Sequence, residues 1–186
     1  MRKNGGTLRV PSKLTRVQDC PPAWICRTLA GMTAERILLA AQGYLELGMA
    51  GDALAELDGL PAAYRRRSDV LKLRVSVALH ARRWKAGLAA SRRLCAVEPD
   101  ETIGFIHAAF CLHELGRTEE ARNVLLHGPS SLLNEATYYY NMGCYNARLG
   151  QLEDAQNYLR MSFSLDRKLR GFARCDPDLK EVRHLF

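Results

Sequence analysis

Large apolar residues, small residues and glycines recur along this chain at intervals of 34 residues. Gly116 and Gly150 lie 34 residues apart, and two further steps of the same length lead back to Arg82 and Gly48. The residue five places after each of these four positions is small: Ala53, Gly87, Ala121 and Ala155. A register that holds over four copies without a gap indicates an array of similar structural units.

Other positions keep the same register when the units are counted from residues 34, 68, 102 and 136. The fourth residue of each unit is large and apolar: Ile37, Leu71, Phe105 and Tyr139. The eighth is small in three of the four units: Ala41, Val75, Ala109 and Gly143. This pattern predicts two antiparallel helices of about a dozen residues per unit, with small residues where helices cross and large ones filling the space between pairs.

Turn and cap residues predict where these helices begin and end. A glycine suits the tight turn between the two helices of a unit, because it accepts the left-handed backbone conformation. The segments DGLP (58–61) and LHGP (126–129) should stop two second helices early. Thr33, Ser68 or Asp69, and Asp100 are candidate N-caps of first helices.

Both ends of the chain predict elements outside the repeats. Residues 1–18 are expected to form a flexible basic tail, and residues 19–33, which include PPAWIC, to form an N-terminal capping helix. Residues 168–186 are expected to form a linker and a C-terminal capping helix, with Asp176 as N-cap and Pro177 in the first turn. Leu179, Val182 and Leu185 or Phe186 would share the apolar face of that helix.

Residues 34 to about 167, roughly 70% of the chain, resemble the tetratricopeptide repeat family of bacterial type in period, helical unit and position of small residues. Tyr44, Gly143 and Pro99 match the family's first-helix tyrosine, first-helix glycine and closing proline. Arg82 departs from the turn glycine, and the other three units lack the closing proline. The resemblance implies an all-α, right-handed α-solenoid of about four repeats, at 34–67, 68–101, 102–135 and 136–167, followed by the capping helix.

The resemblance also implies a ligand groove on the concave side, which first helices line. Carried over position by position, the principal groove residues are Leu38, Gln42, Leu73, Ser76, Ile103, Ile106, His107, Phe110, Tyr140, Asn141 and Arg148. The expected partner is a protein or peptide segment with bulky apolar side chains, and the chain would act as a scaffold or adaptor, or as a chaperone for a client. The alternative is that the chain's own termini, PPAWIC in particular, occupy these positions.

The groove lacks the set of residues with which some relatives grip a peptide's terminal carboxylate. Those relatives carry Lys, Asn and Arg at positions that are Leu38, Gln42, Leu73, Ile103 and His107 in this chain. Recognition of a terminal carboxylate is therefore not expected.

Basic residues are concentrated in two regions of a chain whose net charge is +7. Residues 1–33 hold six Lys or Arg residues and one acid, and residues 65–93 hold ten and one. The candidate patch for an acidic partner is Arg65, Arg66, Arg67, Arg82, Arg83 and Lys85. The second hypothesis for function is accordingly an RNA- or ribonucleoprotein-associated module, although such charges on helical arrays are commonly a solvated surface.

Sequence signatures of catalysis and cofactor binding are not found. The GxGxxG, GxxxxGK and HExxH motifs are missing, and His107 and His113 stand six residues apart, which directs their rings away from each other on a helix. The six cysteines form no CxxC pair, so free buried thiols are expected, with Cys20 and Cys26 as a remote disulfide or metal alternative. No enzymatic activity, cofactor or metal is predicted; a homo-oligomer is compatible with the sequence.

No apolar run approaches the roughly 20 residues needed to cross a bilayer, and the N-terminus has no apolar region of the kind found in secretory signals. A cytoplasmic location without membrane contact is the resulting expectation.

Overall fold

The computed structural model describes the backbone of residues 23–185 and the side chains of residues 33–184. Within that range the chain is helical and contains no strand, which confirms the predicted all-α class at this level. The α-helices are α1 Ala23–Glu46, α2 Ala50–Asp58, α3 Ser68–His80, α4 Trp84–Val97, α5 Thr102–Glu114, α6 Thr118–Leu126, α7 Ala136–Arg148, α8 Leu152–Leu165 and α9 Leu169–Ala173. No helix in this range is long and apolar enough to cross a membrane.

The helix starts repeat with the spacing seen in the sequence. The even-numbered helices α2 to α8 start at residues 50, 84, 118 and 152, and α3, α5 and α7 start at residues 68, 102 and 136. The turn inside each pair uses a left-handed residue at the predicted place: Gly48, Arg82, Gly116 and Gly150 have φ values of 74°, 51°, 76° and 78°. Glycine takes this conformation without a steric penalty, and Arg82 does not.

Small residues lie where helices approach closely. Ala53, Ala121 and Ala155 are fully buried, and Gly87 is buried at the same position of the second pair. A Cβ on Gly143 in α7 would lie 2.7 Å from Leu159 Cγ in α8. Side-chain volume is therefore limited at these crossings, as the 34-residue pattern predicted.

Large apolar residues fill two clusters. The first, built by α1, α2 and α3, holds Leu57 and Val70, and the predicted Ile37 packs against it. The second, built by α4 to α8, holds Leu112, Leu125 and Leu159, and the predicted Phe105 and Tyr139 pack against it. Consecutive helices from α1 to α8 pack against each other, and the first helices α1, α3, α5 and α7 also contact their neighbours in that series. Each pair thus buries its apolar side against the next one.

The predicted second-helix stops are confirmed, whereas the predicted N-caps are not. α2 and α6, which precede the DGLP and LHGP segments, have nine residues each, while α4 and α8 have 14. The N-caps of α3 and α5 are Arg67 and Glu101, and neither accepts a capping hydrogen bond through its side chain. Packing of an apolar face fixes these helix starts, since a single cap contributes only about 1 kcal/mol.

The N-terminal helix differs from the expectation of a separate cap before residue 34. α1 runs without a break from Ala23 to Glu46, through Gly31 and Thr33. One glycine inside a helix costs only about 1 kcal/mol relative to alanine, so it does not force an end. The proposed basic tail, residues 1–18, and the PPAW prolines lie outside the described residues.

The C-terminal segment does not form the predicted single capping helix. It consists of the short helix α9 and two 3₁₀ turns, Pro177–Leu179 and Arg183–Leu185. Asp176 is the predicted N-cap and accepts a hydrogen bond from the Asp178 backbone N–H, and Pro177 follows at the first position. Leu179 and Val182 are fully buried, but they pack into the cluster of α4 to α8 and so draw the chain onto α5 and α7.

Replacing Gly150 with alanine should destabilise the protein through the backbone alone. A Cβ at Gly150 would contact nothing within 4 Å, but its φ of 78° is left-handed. We expect the free energy of unfolding to fall by about 1 kcal/mol. The converse change, Arg82→Gly, should leave stability unchanged or raise it by up to about 1 kcal/mol. Urea denaturation measures both, and equal losses in the two variants would contradict the explanation.

Candidate binding groove

The predicted groove residues all lie on first helices. The first-helix face is defined here as the predicted groove positions on α1, α3, α5 and α7. Leu38 and Gln42 belong to α1, Leu73 and Ser76 to α3, and the remaining residues to α5 and α7: Ile103, Ile106, His107, Phe110, Tyr140, Asn141 and Arg148. Because neighbouring first helices contact each other, these positions follow one another along the array.

The part of the face on α1 and α3 has an apolar base and polar edges. Leu38 and Leu73 are half-buried against the first apolar cluster. Gln42 is exposed and donates to Glu46 Oε1 at 3.3 Å, and the Ser76 carbonyl oxygen lies 2.9 Å from His80 Nδ1. Leu39, next to Leu38, exposes 73% of its surface, so apolar area remains accessible here.

The α5 part of the face carries two isoleucines, a phenylalanine and a histidine, and no Lys, Arg, Asp or Glu. Phe110 packs edge-to-face on Trp84, with 5.7 Å between ring centroids. Ile106 packs against the second cluster, while Ile103 exposes 40% of its surface. Burial lowers the pKa of His107, which favours its neutral form.

The α5 and α7 end of the face is covered by the chain's own C-terminus. The Tyr140 hydroxyl donates to Asp176 Oδ2 at 2.7 Å, and His113 Nε2 lies 2.8 Å from Asp178 Oδ2. Arg148 Nε is 3.5 Å from Asp178 Oδ1. The C-terminal strap, defined as residues 174–184, therefore occupies positions that the sequence assigned to a partner. The sequence analysis gave occupancy by the chain's own termini as the alternative, and at this end of the face the C-terminal segment fulfils it. PPAWIC, the segment named for it, lies outside the range whose side chains are described.

A cavity of about 550 Å³ lies along α8, and a cavity of about 380 Å³ lies beside the strap. The cavity beside the strap brings together three predicted groove residues, Phe110, Tyr140 and Asn141, with Phe172 and Cys175 from the C-terminal segment. Leu38, Leu73 and Ile103 do not line it. The face is thus divided into an accessible part on α1 to α5 and a covered part on α5 and α7.

Burial and negative charge suppress ionisation next to the strap. The pKa values of Tyr140 and Cys144 are raised, first by burial and then by the carboxylates of the strap. Cys144 Sγ lies 3.7 Å from Asp176 Oδ2, within range of a weak S–H hydrogen bond. Both groups therefore act as neutral donors toward Asp176 rather than as nucleophiles at neutral pH.

The residues that sequence reasoning missed are Asp176 and Asp178. Their DPD sequence was interpreted only as a helix start, and that local role is real for Asp176. A second oxygen of Asp176 and both oxygens of Asp178 instead face side chains 30 to 65 residues earlier in the chain. The sequence feature that could have indicated this contact is the pair of carboxylates next to the apolar Leu179. The neighbouring sequence does not indicate which helix these carboxylates contact.

Two residues of the basic patch make polar contacts within the protein, and one of them is ion-paired. Arg65 donates to the carbonyl oxygens of Leu60 and Asp58, and Arg67 pairs with Asp69 at 2.6 Å. Two other cations of the 65–93 region are also paired, Lys72 with Glu98 and Arg74 with Asp58. The remaining patch residues are exposed: Arg66, Arg82, Arg83 and Lys85.

A second basic surface lies on α8 and the segment that follows it. The 550 Å³ cavity is bordered by three arginines, Arg160, Arg167 and Arg170, over Leu159 and Phe163. The Arg170 guanidinium lies 5.7 Å from the Phe163 ring centroid. The sequence analysis did not identify this surface.

The described cysteines are free thiols, as predicted. Cys111 and Cys144 are buried and Cys95 is partly buried, but Cys175 is exposed, contrary to the expectation of burial. Burial raises the pKa values of Cys95 and Cys111 to about 11. Among residues 33–184 no three His, Cys, Asp or Glu side chains are grouped as a metal site would need, while Cys20 and Cys26 lie outside this range.

His107→Gln should reduce the loss of stability on acidification. The pKa of His107 is lowered in the folded protein, so the unfolded chain binds the proton more readily. Stability from the neutral imidazole is complete above the ordinary pKa of about 6.5 and falls as pH drops below it. Melting temperatures at about pH 7.5 and about pH 5 should differ less in the variant than in the wild type. An unchanged difference in the variant would contradict this role of His107.

Comparison of the sequence with protein-family models and with curated proteins gives no match.

Proposed function

We propose that this protein is a non-catalytic binding scaffold, built as a right-handed α-solenoid of four tetratricopeptide-like repeats, which captures a protein segment on its first-helix face. The observation that carries this proposal is the 34-residue recurrence of helix starts together with the left-handed turn residues. Contacts between successive first helices support it, because in a solenoid these helices line the inner side.

The chemistry of the first-helix face favours binding over catalysis. Its accessible part presents aliphatic and aromatic side chains, among them Leu38, Ile103 and Phe110, with few polar groups. Such a surface fits an extended or helical segment with bulky apolar side chains. An adaptor that joins two folded proteins and a chaperone that holds an unfolded client both use this chemistry.

The experiment selects peptides from a displayed random library on the full-length protein and then measures their affinities. Phe110→Ala with Ile103→Ala should weaken binding roughly tenfold or more, with helix content by circular dichroism retained. The matched control is Met161→Ala with Leu165→Ala, two residues about half exposed on α8. Equal losses in both double variants, or no selected peptide, would contradict the proposal.

A basic-surface function is the second candidate. It is favoured by the exposed Arg82, Arg83 and Lys85 around the α3–α4 turn, and it is weakened by the internal pairing of Arg67 and Arg74. RNA binding through these cations should fall steeply as salt rises, whereas apolar segment binding should change little. A salt titration with a single-stranded RNA oligonucleotide and a selected peptide separates the two candidates.

A further inference from the structure

The C-terminal strap contacts the first-helix face in the manner of a bound peptide. Two of its three acidic side chains meet donors on two different helices: Asp176 meets Tyr140, and Asp178 meets His113 and Arg148. These donors come from α5 and α7, so the strap crosses the boundary between two repeats. One segment thus binds polar side chains of both α5 and α7.

Apolar side chains anchor the same segment. Leu179 and Val182 are fully buried and belong to the apolar cluster of α4 to α8. Between them, Lys180 and Glu181 are exposed. Asp176, Asp178, Leu179 and Val182 thus face the helices, while Lys180 and Glu181 face solvent. An extended peptide ligand shows the same pattern when only one of its sides contacts a receptor.

The strap has short-range hydrogen bonds of its own. It contains the 3₁₀ turn Pro177–Leu179 and the first two residues of the turn Arg183–Leu185. Its internal hydrogen bonds run from the Asp178 N–H to Asp176 Oδ1, from Arg183 Nη2 and the Leu179 N–H to the Asp176 carbonyl, and from the Val182 N–H to the Leu179 carbonyl. The first bond holds the two carboxylates on the same side, toward α5 and α7. Outside the strap, its two carboxylates make their side-chain contacts with α5 and α7, so a segment offering the same groups could compete for those partners.

We propose that the part of the first-helix face on α5 and α7 binds an acidic segment of a partner protein, and that the C-terminal strap is its intramolecular competitor. The recognised segment carries two carboxylates two residues apart, followed directly by a large aliphatic residue. Tyr140, His113 and Arg148 read the carboxylates, and the pocket of Leu179 takes the aliphatic side chain. This inference rests on the proposed function and specifies the chemistry of the partner.

Competition follows from shared contacts. While the strap is in place, Tyr140 and Arg148 are occupied, and the apparent affinity for a partner falls in proportion to the fraction of molecules with the strap released. Changing the strap carboxylates to amides should therefore raise the affinity for an acidic segment. Asparagine keeps the size of aspartate and its capping oxygen, so the local turn at Asp176 is preserved.

The experiment uses the full-length chain and a fluorescein-labelled peptide with the sequence of residues 174–184, with serine at the cysteine position. Anisotropy titrations compare wild type with the Asp176→Asn, Asp178→Asn double variant. The variant should bind the peptide roughly tenfold or more tightly than wild type. A matched peptide with asparagine at both aspartate positions should bind the variant roughly tenfold more weakly than the acidic peptide.

Hydrogen exchange on the wild-type protein gives a test that needs no variant. Saturating acidic peptide should increase exchange at the strap amides and leave the α3–α4 pair unchanged. Unaltered strap exchange with bound peptide would overturn the competition, and equal binding of the acidic and amide peptides would overturn recognition of carboxylates. Failure of this inference differs from failure of the proposed function, because library-selected apolar peptides would still bind and would still depend on Phe110.

Discussion

Leu159→Ala is expected to lower the free energy of unfolding by about 2–5 kcal/mol, among the largest effects of any single truncation in this protein. Leu159 is 1% exposed and lies in α8 against α7, where its side chain fills the space above Gly143. Removing it loses buried apolar surface and leaves a cavity that the flanking helices can close only partly. Urea denaturation followed by circular dichroism measures the loss.

The same contact gives a test through a double-mutant cycle. A Cβ at Gly143 would lie 2.7 Å from Leu159 Cγ and 2.8 Å from Cδ2, so Gly143→Ala alone should cost about 1–3 kcal/mol by overpacking. In the Leu159→Ala background the added methyl occupies free space, and the same change should cost less or even stabilise. A coupling energy of about 1 kcal/mol or more is expected.

Gly43→Ala is the matched control for the glycine substitution. Gly43 lies in the interior of α1, and a Cβ there would contact nothing within 4 Å. Helix propensity alone should then raise stability by about 0.5–1 kcal/mol. Two results would contradict the close contact between Gly143 and Leu159. One is that the free-energy changes of Gly143→Ala and Leu159→Ala are additive. The other is that Gly43→Ala lowers the free energy of unfolding as much as Gly143→Ala does.

Ala121→Leu is the second change for which we expect a large effect. Ala121 is fully buried in α6 at the small position of the third pair. At the equivalent position of the second pair, a Cβ on Gly87 would lie 2.8 Å from Cys111 Sγ on α5, the next first helix, and 3.6 Å from Ala78 Cβ on α3, its own. Three helices meet at such a position, so three extra carbon atoms force backbone movement.

The expected cost of Ala121→Leu is about 1–3 kcal/mol or more, with a lower melting temperature and broader unfolding. The matched control is Ala89→Leu, on the exposed side of α4, where the same added volume points into solvent. That control should change stability by no more than about 0.5 kcal/mol. Similar losses in both variants would show that helix crossing does not limit the residue size at Ala121.

The repeat could be recognised from the sequence because its determinants are local and recur. Glycine at 48, 116 and 150 is favoured by the left-handed turn, and the register of these residues places Arg82 at the same turn position, where its φ is 51°. Burial of Ala53, Leu57, Leu125 and Leu159 follows from the same spacing. Each signal is weak alone. The signals recur because every helical pair packs against the next one in the same way and therefore needs small and large residues at the same positions.

The helix ends and the site were less predictable, for different reasons. Candidate caps such as Asp100 were not used, because packing determines where α5 begins and a cap contributes little beside it. Positions on the first helices could be assigned by register, as for Tyr140 and Phe110. The residues that contact Tyr140 and Phe110 could not be predicted, since the 34-residue spacing does not indicate which distant segment of the chain packs on them.

The sequence by itself determined the helical class, the 34-residue period, the turns and the small residues at the crossings, because each depends on neighbours within one or two helical pairs. Only the tertiary structure decided that α1 begins well before the first unit and that Asp176 and Asp178 lie on α5 and α7. Because Leu179 and Val182 are buried in the cluster of α4 to α8, the C-terminal segment returns to α5 and α7. The stacking of different helical pairs then decides which donors Asp176 and Asp178 meet. Such long-range contacts leave no periodic pattern in the residues that make them.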